Sequence, residues 1–307
     1  MKKMLISLFL TASLTCLAND EGGFVKSDFK KNMTKNDKAS VLVVHFGTTF
    51  DNTRAKTIDA LNSDVKNNFK HFKVEEAYTS RIIMRRLKTR GIKKDNPAEA
   101  LDKLISEGYT HLIVQSSNII PGIEFKTLEK QVEMYKDKFK EIRIGHPLLS
   151  KTENYKKVLT ILKNDIGELD KNEAVVLVGH GTHDSANSTY ACVDYVAKDL
   201  ELPFYVGTIE GYPTIENVIK NLKKDHVKKV ILTPFMFVAG DHANNDIAGD
   251  WKETLEKNGF IVINRIKGLG EVKEIRNLMV ENAKFMTTHK EEDMISKKLF
   301  YSKQKDN

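Results

Sequence analysis

Short runs of apolar residues alternate along this chain with longer stretches in which apolar residues recur every three or four positions. Runs of the first kind predict buried β-strands, and stretches of the second kind predict helices with one buried face. In the first half the pattern predicts strands at 41–46, 74–78, 111–115 and 142–144, and helices at 52–69, 82–88, 97–107 and 125–139.

The second half of the chain repeats this alternation of strands and helices. The segment VLVVHFGT at 41–48 also aligns with VVLVGHGT at 175–182. Alternating strands and helices are typical of a mostly parallel sheet with helices on both faces. We therefore expect an α/β protein of two similar domains, each a parallel sheet flanked by helices, with a cleft between them. The predicted strands are 175–178, 204–208, 230–234 and 261–264, and the predicted helices are 188–200, 214–223, 246–257 and 271–286.

The amino-terminal residues have the pattern of an export signal. Lys2 and Lys3 precede an apolar stretch at 4–14, and small residues follow it, which predicts a cleavable signal peptide over residues 1–18. The apolar stretch is too short to span a bilayer comfortably. We expect a periplasmic or otherwise exported protein with no membrane segment after cleavage. A lipid anchor at Cys16 and a retained amino-terminal anchor remain as alternatives.

The rest of the chain divides into four predicted segments. Residues 19–39 read as a polar leader with little structure, residues 40–150 and 170–290 as the two domains, and residues 291–307 as a charged, frayed tail. We expect the domain boundary within residues 150–173.

The amino-acid composition limits the classes of protein to which this chain can belong. The 307 residues are 40% hydrophobic and 30% charged, as in an ordinary soluble globular protein. The net charge of +7 comes without a clustered arginine stripe, so we expect no nucleic-acid partner. Removal of the signal peptide would leave Cys192 as the single cysteine, so the fold cannot rely on an internal disulfide.

Three predicted strand ends of the second half carry groups that can bind a metal ion. His180 follows the first of these strands, Glu210 the second and His242 the third. Carboxyl ends of parallel strands meet at one edge of a sheet, where ligands bind in open α/β folds. Two imidazoles and a carboxylate suit a divalent first-row metal with positions left open for a substrate, and they also suit acid–base work near neutral pH. We predict His180, Glu210 and His242 as catalytic and metal-binding residues.

Further residues beside these strand ends are candidates for ligand binding. Gly181 lets a ligand approach the backbone closely. Thr182 can cap a helix or orient a ligand through a hydrogen bond. His183 is either a second ligand or a solvent-facing residue. His45 and Glu124 occupy matching loops of the first half and could line the cleft. We predict Gly181, Thr182, His45 and Glu124 as binding residues.

Several of these stretches resemble a known family. GHGTH at 179–183, IEGYP at 209–213 and AGDHANND at 239–246 are together similar to the anaerobic cobaltochelatases that act on sirohydrochlorin. FGTT at 46–49 and IPGIEF at 120–125 match the same family. The resemblance covers nearly the whole chain after the leader.

The resemblance implies a class II chelatase fold, related to the ferrochelatases, and an enzyme of cobalamin-type tetrapyrrole metabolism. Such an enzyme inserts Co²⁺ into a metal-free tetrapyrrole with release of two protons. The resemblance makes His180 and His242 the metal-binding and proton-accepting residues, Glu210 the carboxylate beside them, and Glu124 an acidic residue of the opposite wall. The metal is a substrate, Fe²⁺ or Ni²⁺ could replace it, and no organic cofactor is expected.

Export leaves other functions open, because cobalamin intermediates are made inside the cell. An iron chelatase, or an exported haem- or metal-binding shuttle protein, could use the same cleft. A solute-binding protein would share the export signal and the two lobes, but it would not explain histidines at strand ends. A homo-oligomer is compatible with the sequence.

Overall fold

The computed structural model describes residues 23–303 of the chain. The strands are β1 (Phe24–Lys26), β2 (Ala39–His45), β3 (Lys73–Tyr78), β4 (His111–Ser116), β5 (Glu141–Gly145), β6 (Glu173–Gly181), β7 (Phe204–Glu210), β8 (Lys229–Pro234), β9 (Ile261–Asn264) and β10 (His289–Glu291). The helices are α1 (Asp51–Arg54), α2 (Ala60–Asn68), α3 (Arg81–Lys88), α4 (Pro97–Ser106), α5 (Ile123–Glu133), α6 (Thr152–Ile166), α7 (Ser188–Asp199), α8 (Ile215–Lys224), α9 (Lys252–Lys257), α10 (Lys273–Thr288) and α11 (Met294–Lys303). Among these residues no helix is long and apolar enough to cross a membrane.

Two four-stranded sheets form the framework, and their strands follow the same spatial order. The first sheet is ordered β3-β2-β4-β5 and the second β7-β6-β8-β9, with every neighbouring pair parallel. The predicted α/β fold of two similar domains, each a parallel sheet flanked by helices, is confirmed. The carboxyl ends of β2, β3 and β4 therefore occupy the same places in the first sheet as those of β6, β7 and β8 in the second.

The two central strands of each sheet, β2 and β4 in the first and β6 and β8 in the second, are buried on both faces, as strands of parallel sheets usually are. Val41 and Val43 of β2 belong to one apolar core together with Val175 and Leu177 of β6, so the two halves share the layer between their sheets. The other residues of each strand face the helices on the outer side of the sheet, because successive side chains of a strand point to opposite faces. Leu42 of β2 packs in a core with residues of α4 and α5.

Two helices join the halves by crossing between them. α6 lies where we expected the domain boundary, and it packs against α7 of the second half. α10 follows the second sheet in the chain but packs on β4, β5 and α2 of the first half. Ile275, Met279 and Ala283 form its buried stripe. An apolar stripe indicates that a helix is buried on that side, but it does not specify which sheet the helix covers.

The polar leader is more ordered than the sequence analysis predicted. Phe24 and Phe29 are buried in the shared core, and β1 pairs antiparallel with β10. The guanidinium of Arg143 donates to the backbone carbonyls of Ser27, at 2.8 Å, and of Met286, at 2.9 Å. These contacts tie the segments around Ser27 and Met286 to the first sheet. Part of the predicted charged tail is likewise the helix α11, and the predicted signal peptide lies outside the described residues.

Candidate active site

The structure brings His180 and His242 together at the carboxyl edge of the second sheet. His180 is near the end of the central strand β6, and His242 follows the neighbouring strand β8. Their ring centroids are 4.6 Å apart and the rings are nearly perpendicular, with an interplanar angle of 87°. His242 directly precedes a π-helical stretch, Ala243–Trp251, a conformation that occurs frequently at functional sites.

Hydrogen bonds at the Nδ1 atoms orient both imidazoles. Nδ1 of His180 donates to the carbonyl oxygen of Gly181 at 3.0 Å, and Nδ1 of His242 donates to Oδ2 of Asp246 at 2.6 Å. Because a carbonyl or carboxylate oxygen only accepts, the proton of each neutral ring lies on Nδ1. The Nε2 lone pairs of both rings are left to bind a metal ion or to accept a proton.

Asp246 is a site residue that the sequence analysis missed. A carboxylate behind a metal-binding histidine fixes the tautomer of the ring and makes it a better ligand. Asp246 lies four residues after His242, the spacing at which side chains meet on one helix face, so this spacing was the available signal.

Glu210 occupies the end of β7, on the other side of β6 from His242. It pairs with Gly181 in the parallel register, and its side chain is exposed. Gly181 has a φ of +85°, and a Cβ atom on it would lie 1.4 Å from the carbonyl oxygen of Glu210. Glycine is thus required at 181 by the neighbouring strand, whereas the sequence analysis assigned it to close approach of a ligand.

The predicted three-ligand metal site is not preassembled. Within residues 23–303 there is no group of three or more His, Cys, Asp or Glu side chains arranged to hold a metal ion. His180 and His242 meet as a pair, and Glu210 belongs to the adjacent strand end. The arrangement is an open site with two imidazoles, which suits a metal ion that has to be passed on rather than retained.

Thr182 shapes the loop after β6 and does not cap a helix. Its backbone N–H donates to Oδ1 of Asn187 at 3.1 Å, and its hydroxyl accepts from the backbone N–H of Asp184 at 3.1 Å. His183, next to it, is exposed to solvent. These contacts hold the turn that follows His180.

His45 does not line the cleft, which corrects the prediction made for it. The side chain is buried, with Nε2 donating to Oδ1 of Asn62 at 3.0 Å and the hydroxyl of Ser117 donating to Nδ1 at 3.0 Å. Its ring stacks on Phe237, with centroids 6.1 Å apart. Burial lowers the pKa of His45. In the alignment of the two halves His45 corresponds to Gly179, and Phe46 corresponds to His180, so His45 lies one position inside the strand end.

The corresponding edge of the first sheet is lined by exposed apolar side chains. Phe46 and Phe50 follow β2. Ile82 is the second residue of α3, which follows β3, and Ile123 is the first residue of α5, which follows β4. These four side chains, called the apolar rim below, are between 38% and 55% exposed. Glu124 is also exposed, beside Ile123. Large apolar residues in the loops and first helical turns that follow the strand ends, where polar residues are usual, were the sequence feature that could have predicted the rim.

Polar contacts hold the carboxyl edges of the two sheets near each other. The hydroxyl of Thr53 donates to the carbonyl oxygen of Ala239 at 3.3 Å. Arg86 pairs with Asp241 at 3.0 Å, and Lys126 pairs with Asp184 at 2.7 Å. The Lys126 ammonium lowers the pKa of Asp184. The apolar rim and the histidine pair therefore belong to one interface region between the halves.

The fold and the site define an α/β protein of the metal-chelatase class, with two similar parallel sheets and an open pair of imidazoles at the carboxyl edge of the second sheet. The cobalt chelatase (CbiK) family model matches residues 38–287, and the chain belongs to this family.

The comparison with curated proteins agrees with this assignment. The chain is 36% identical over 248 residues to the sirohydrochlorin cobaltochelatase of Salmonella typhimurium, which covers 79% of this chain and 94% of that protein. It is 31% identical over 252 residues to the sirohydrochlorin cobaltochelatase CbiKC of Nitratidesulfovibrio vulgaris, which covers 80% of this chain and 89% of the relative.

Solved structures share the fold. SirB from Bacillus subtilis superimposes with a TM-score of 0.59 at 17% identity, covering 82% of this chain and 96% of SirB. CbiX, described as the terminal enzyme for siroheme biosynthesis in denitrifying bacteria, has a TM-score of 0.51 at 18% identity, covering 80% of this chain and 98% of CbiX.

Proposed function

We propose that this protein is a sirohydrochlorin cobaltochelatase, which inserts Co²⁺ into the metal-free macrocycle with release of two protons. The observation that carries the proposal is the contact between His180 and His242, with both Nε2 atoms free. Two relatives that are 36% and 31% identical over most of the chain bear this name.

The reaction requires the protein to perform two tasks. It must present the metal ion to the ring nitrogens, and it must accept the two protons that leave those nitrogens as the metal enters. Neutral imidazole does both, because a lone pair that binds Co²⁺ can afterwards take a proton. A site with two imidazole ligands leaves most of the metal coordination open, so the ion can transfer to the macrocycle.

Asp246 and Glu210 have supporting roles in this mechanism. The Asp246 carboxylate holds the Nδ1 proton of His242 and stabilises the imidazolium that forms when Nε2 takes up a proton. Glu210 is exposed at the adjacent strand end, where it can orient the metal ion or relay a proton to solvent. These roles need no organic cofactor.

The apolar rim of the first half provides a surface for the macrocycle. A tetrapyrrole is a large, flat and mostly apolar ring, so its burial against Phe46, Phe50, Ile82 and Ile123 is favourable. Those side chains follow the carboxyl ends of the first sheet, as the histidines follow those of the second. A macrocycle placed between them has one face on the rim and the other toward the imidazole pair.

An insertion assay tests this function. Purified protein is mixed anaerobically with metal-free sirohydrochlorin and Co²⁺, Fe²⁺ or Ni²⁺ in parallel, and the absorbance of the metallated product is followed. We expect turnover with Co²⁺, and turnover with Fe²⁺ or Ni²⁺ would widen the set of metals. Stoichiometric binding of haem or metal without turnover would favour a shuttle protein that uses the same cleft.

We further propose that the protein is exported and that residues 1–18 are removed. The proposal rests on Lys2, Lys3 and the apolar stretch at 4–14. Mass spectrometry of the protein recovered from a periplasmic fraction should give a chain beginning near residue 19. A full-length chain recovered from the cytoplasmic fraction would contradict export, and a lipid-modified Cys16 would replace cleavage after residue 18 by anchoring.

A further inference from the structure

Two ion pairs join the helices that carry Ile82 and Ile123 of the apolar rim to the loops that carry the histidines. Arg86 on α3 and Lys126 on α5 supply the cations from the first half. Their partners are on the loops that carry the histidines, since Asp241 directly precedes His242 and Asp184 lies four residues after His180. Each cation is therefore held at the edge of the proposed substrate site.

These pairs are poorly explained as stabilising elements. The side chains of Arg86 and Asp241 are 57% and 50% exposed, and an ion pair this exposed contributes little to folding. Lys126 is also accessible, at 44%. Asp184 accepts a second hydrogen bond from the backbone N–H of Ala186 at 2.8 Å, so its position does not depend on Lys126 alone. Both cations can exchange their partner at low energetic cost.

Each cation follows an exposed isoleucine of the apolar rim on the same helix face. Ile82 and Arg86 are four residues apart on α3, and Ile123 and Lys126 are three apart on α5. Side chains at these spacings are neighbours on a helix surface. α3 also carries Arg81 and Arg85, both exposed, so this side of the cleft is strongly basic. The combination fits a ligand with an apolar face and anionic groups at its edge.

We propose that Arg86 and Lys126 bind carboxylate groups at the periphery of the tetrapyrrole, and that Asp241 and Asp184 hold these two cations while the site is empty. The inference rests on the proposed function, because sirohydrochlorin is a macrocycle bearing several acetate and propionate side chains. Binding replaces one carboxylate partner by another at each cation, so two carboxylates of the substrate become paired while Asp241 and Asp184 are released to solvent. Arg86 can bind a carboxylate through two parallel hydrogen bonds, whereas Lys126 offers a point charge.

The experiment measures binding of metal-free sirohydrochlorin, without added metal, by absorbance titration under anaerobic conditions. The variants are Arg86→Gln and Lys126→Gln, with Asp241→Asn and Asp184→Asn as matched variants that break the same two ion pairs. We expect the dissociation constant to rise about tenfold for each cation variant, as for the loss of one charge-assisted hydrogen bond. Each Asp→Asn variant should bind as tightly as the wild type or more tightly, because its cation is freed.

Two results would overturn the proposal. One is wild-type affinity in both cation variants. The other is equal weakening by the two members of a pair, which would make the pair a structural contact. A macrocycle with esterified carboxylates adds a further check, since wild type and cation variants should bind it alike. Arg86, Asp241 and Lys126 are exposed or half-exposed, whereas the Asp184 side chain is 19% exposed. Unchanged thermal unfolding midpoints in all four variants would show that the fold is intact.

Failure of this inference is distinguishable from failure of the proposed function. Insertion of Co²⁺ by the wild type, together with equal affinities across the variants, would remove the role of Arg86 and Lys126 and leave the chelatase standing. The expected order of affinities without any insertion by the wild type would support the carboxylate contacts and remove the chelatase activity.

Discussion

The two halves of this protein share one framework and differ at the edge where ligands bind. Both sheets have the same strand order, and the alignment of 41–48 with 175–182 places Gly47 opposite Gly181. Both glycines have a positive φ, +104° and +85° respectively, so the two central strands end in the same kind of turn. The backbone at the carboxyl edge is thus repeated in both halves.

The side chains at that edge are not repeated. Phe46 occupies the place of His180. The strand registers align Ser116 of β4 with Pro234 of β8, so Glu124 corresponds to His242. Ser80, which corresponds to Glu210, caps α3 by accepting from the backbone N–H of Ile83. The first half therefore presents apolar and cationic groups together with the Glu124 carboxylate, and the second half presents imidazoles and carboxylates. A reaction between a flat macrocycle and a metal ion needs both surfaces, and divergence of a repeated edge provides them without altering either sheet.

Among the substitutions considered, removal of the His180 side chain should reduce the rate of metal insertion most. We expect His180→Ala to lower the rate of Co²⁺ insertion about a thousandfold, because the ring supplies both a ligand and a proton acceptor. The fold should be retained, since His180 is only partly buried at the carboxyl end of β6. Anaerobic insertion kinetics and thermal unfolding check both statements.

The control for this variant is His71→Ala, an exposed histidine on the first half just before β3, at the amino end of the sheet. It should insert metal at the wild-type rate. Wild-type insertion by His180→Ala would exclude a catalytic role for the residue and would favour a binding protein.

The roles of Asp246 and Glu210 can be distinguished by the effects of their substitutions on kcat. Asp246→Asn keeps the shape of the side chain but loses the charge behind His242, and we expect kcat to fall about 10- to 100-fold with KM for sirohydrochlorin unchanged. Glu210→Gln should lower turnover less than His180→Ala. A larger loss in Glu210→Gln than in Asp246→Asn would make Glu210 the principal partner of the histidines.

The apolar rim should affect binding rather than chemistry. Phe46→Ala removes a large apolar contact, so KM for the macrocycle should rise about tenfold while kcat is retained. Ile261→Ala is the control, because Ile261 is 65% exposed at the amino end of β9, away from the histidine edge. A fall in kcat without a change in KM would contradict the assignment of the rim as a binding surface.

The smallest expected effect concerns His45, the buried histidine of the first half. Burial lowers the pKa of His45 below its value in the unfolded chain, so the unfolded state binds the proton more readily. The stabilisation is present above the unfolded pKa of about 6.5 and is lost as the pH falls below it. Urea unfolding at pH 7.5 and 5.5 should therefore show a lower free energy of unfolding at the lower pH.

His45→Asn should reduce this pH dependence without removing it, since burial also lowers the pKa of His111 and His146. The variant should be less stable than the wild type at pH 7.5, because the hydrogen bonds to Asn62 and Ser117 are disturbed. An identical dependence on pH in variant and wild type would show that His45 is not responsible.

Local patterns were sufficient to predict much of the framework. The buried strands, their alternation with helices and the repeat of the halves follow from apolar periodicity, which depends on near neighbours in the chain. The predicted helix 125–139 was too long, since α5 ends at Glu133. The glycine-rich strand ends also identified His180 and His242 as candidates, because parallel strands bring their carboxyl ends to one edge.

The tertiary structure decided what depends on contacts between distant segments. The direction of His45 into the core and the packing of α10 on the first sheet both follow from how the elements stack. Arg86 and Asp241 are 155 residues apart in the chain, and Lys126 and Asp184 are 58 apart. Periodicity carries no information on such pairs, because it records which face of an element is buried and not which partner covers it.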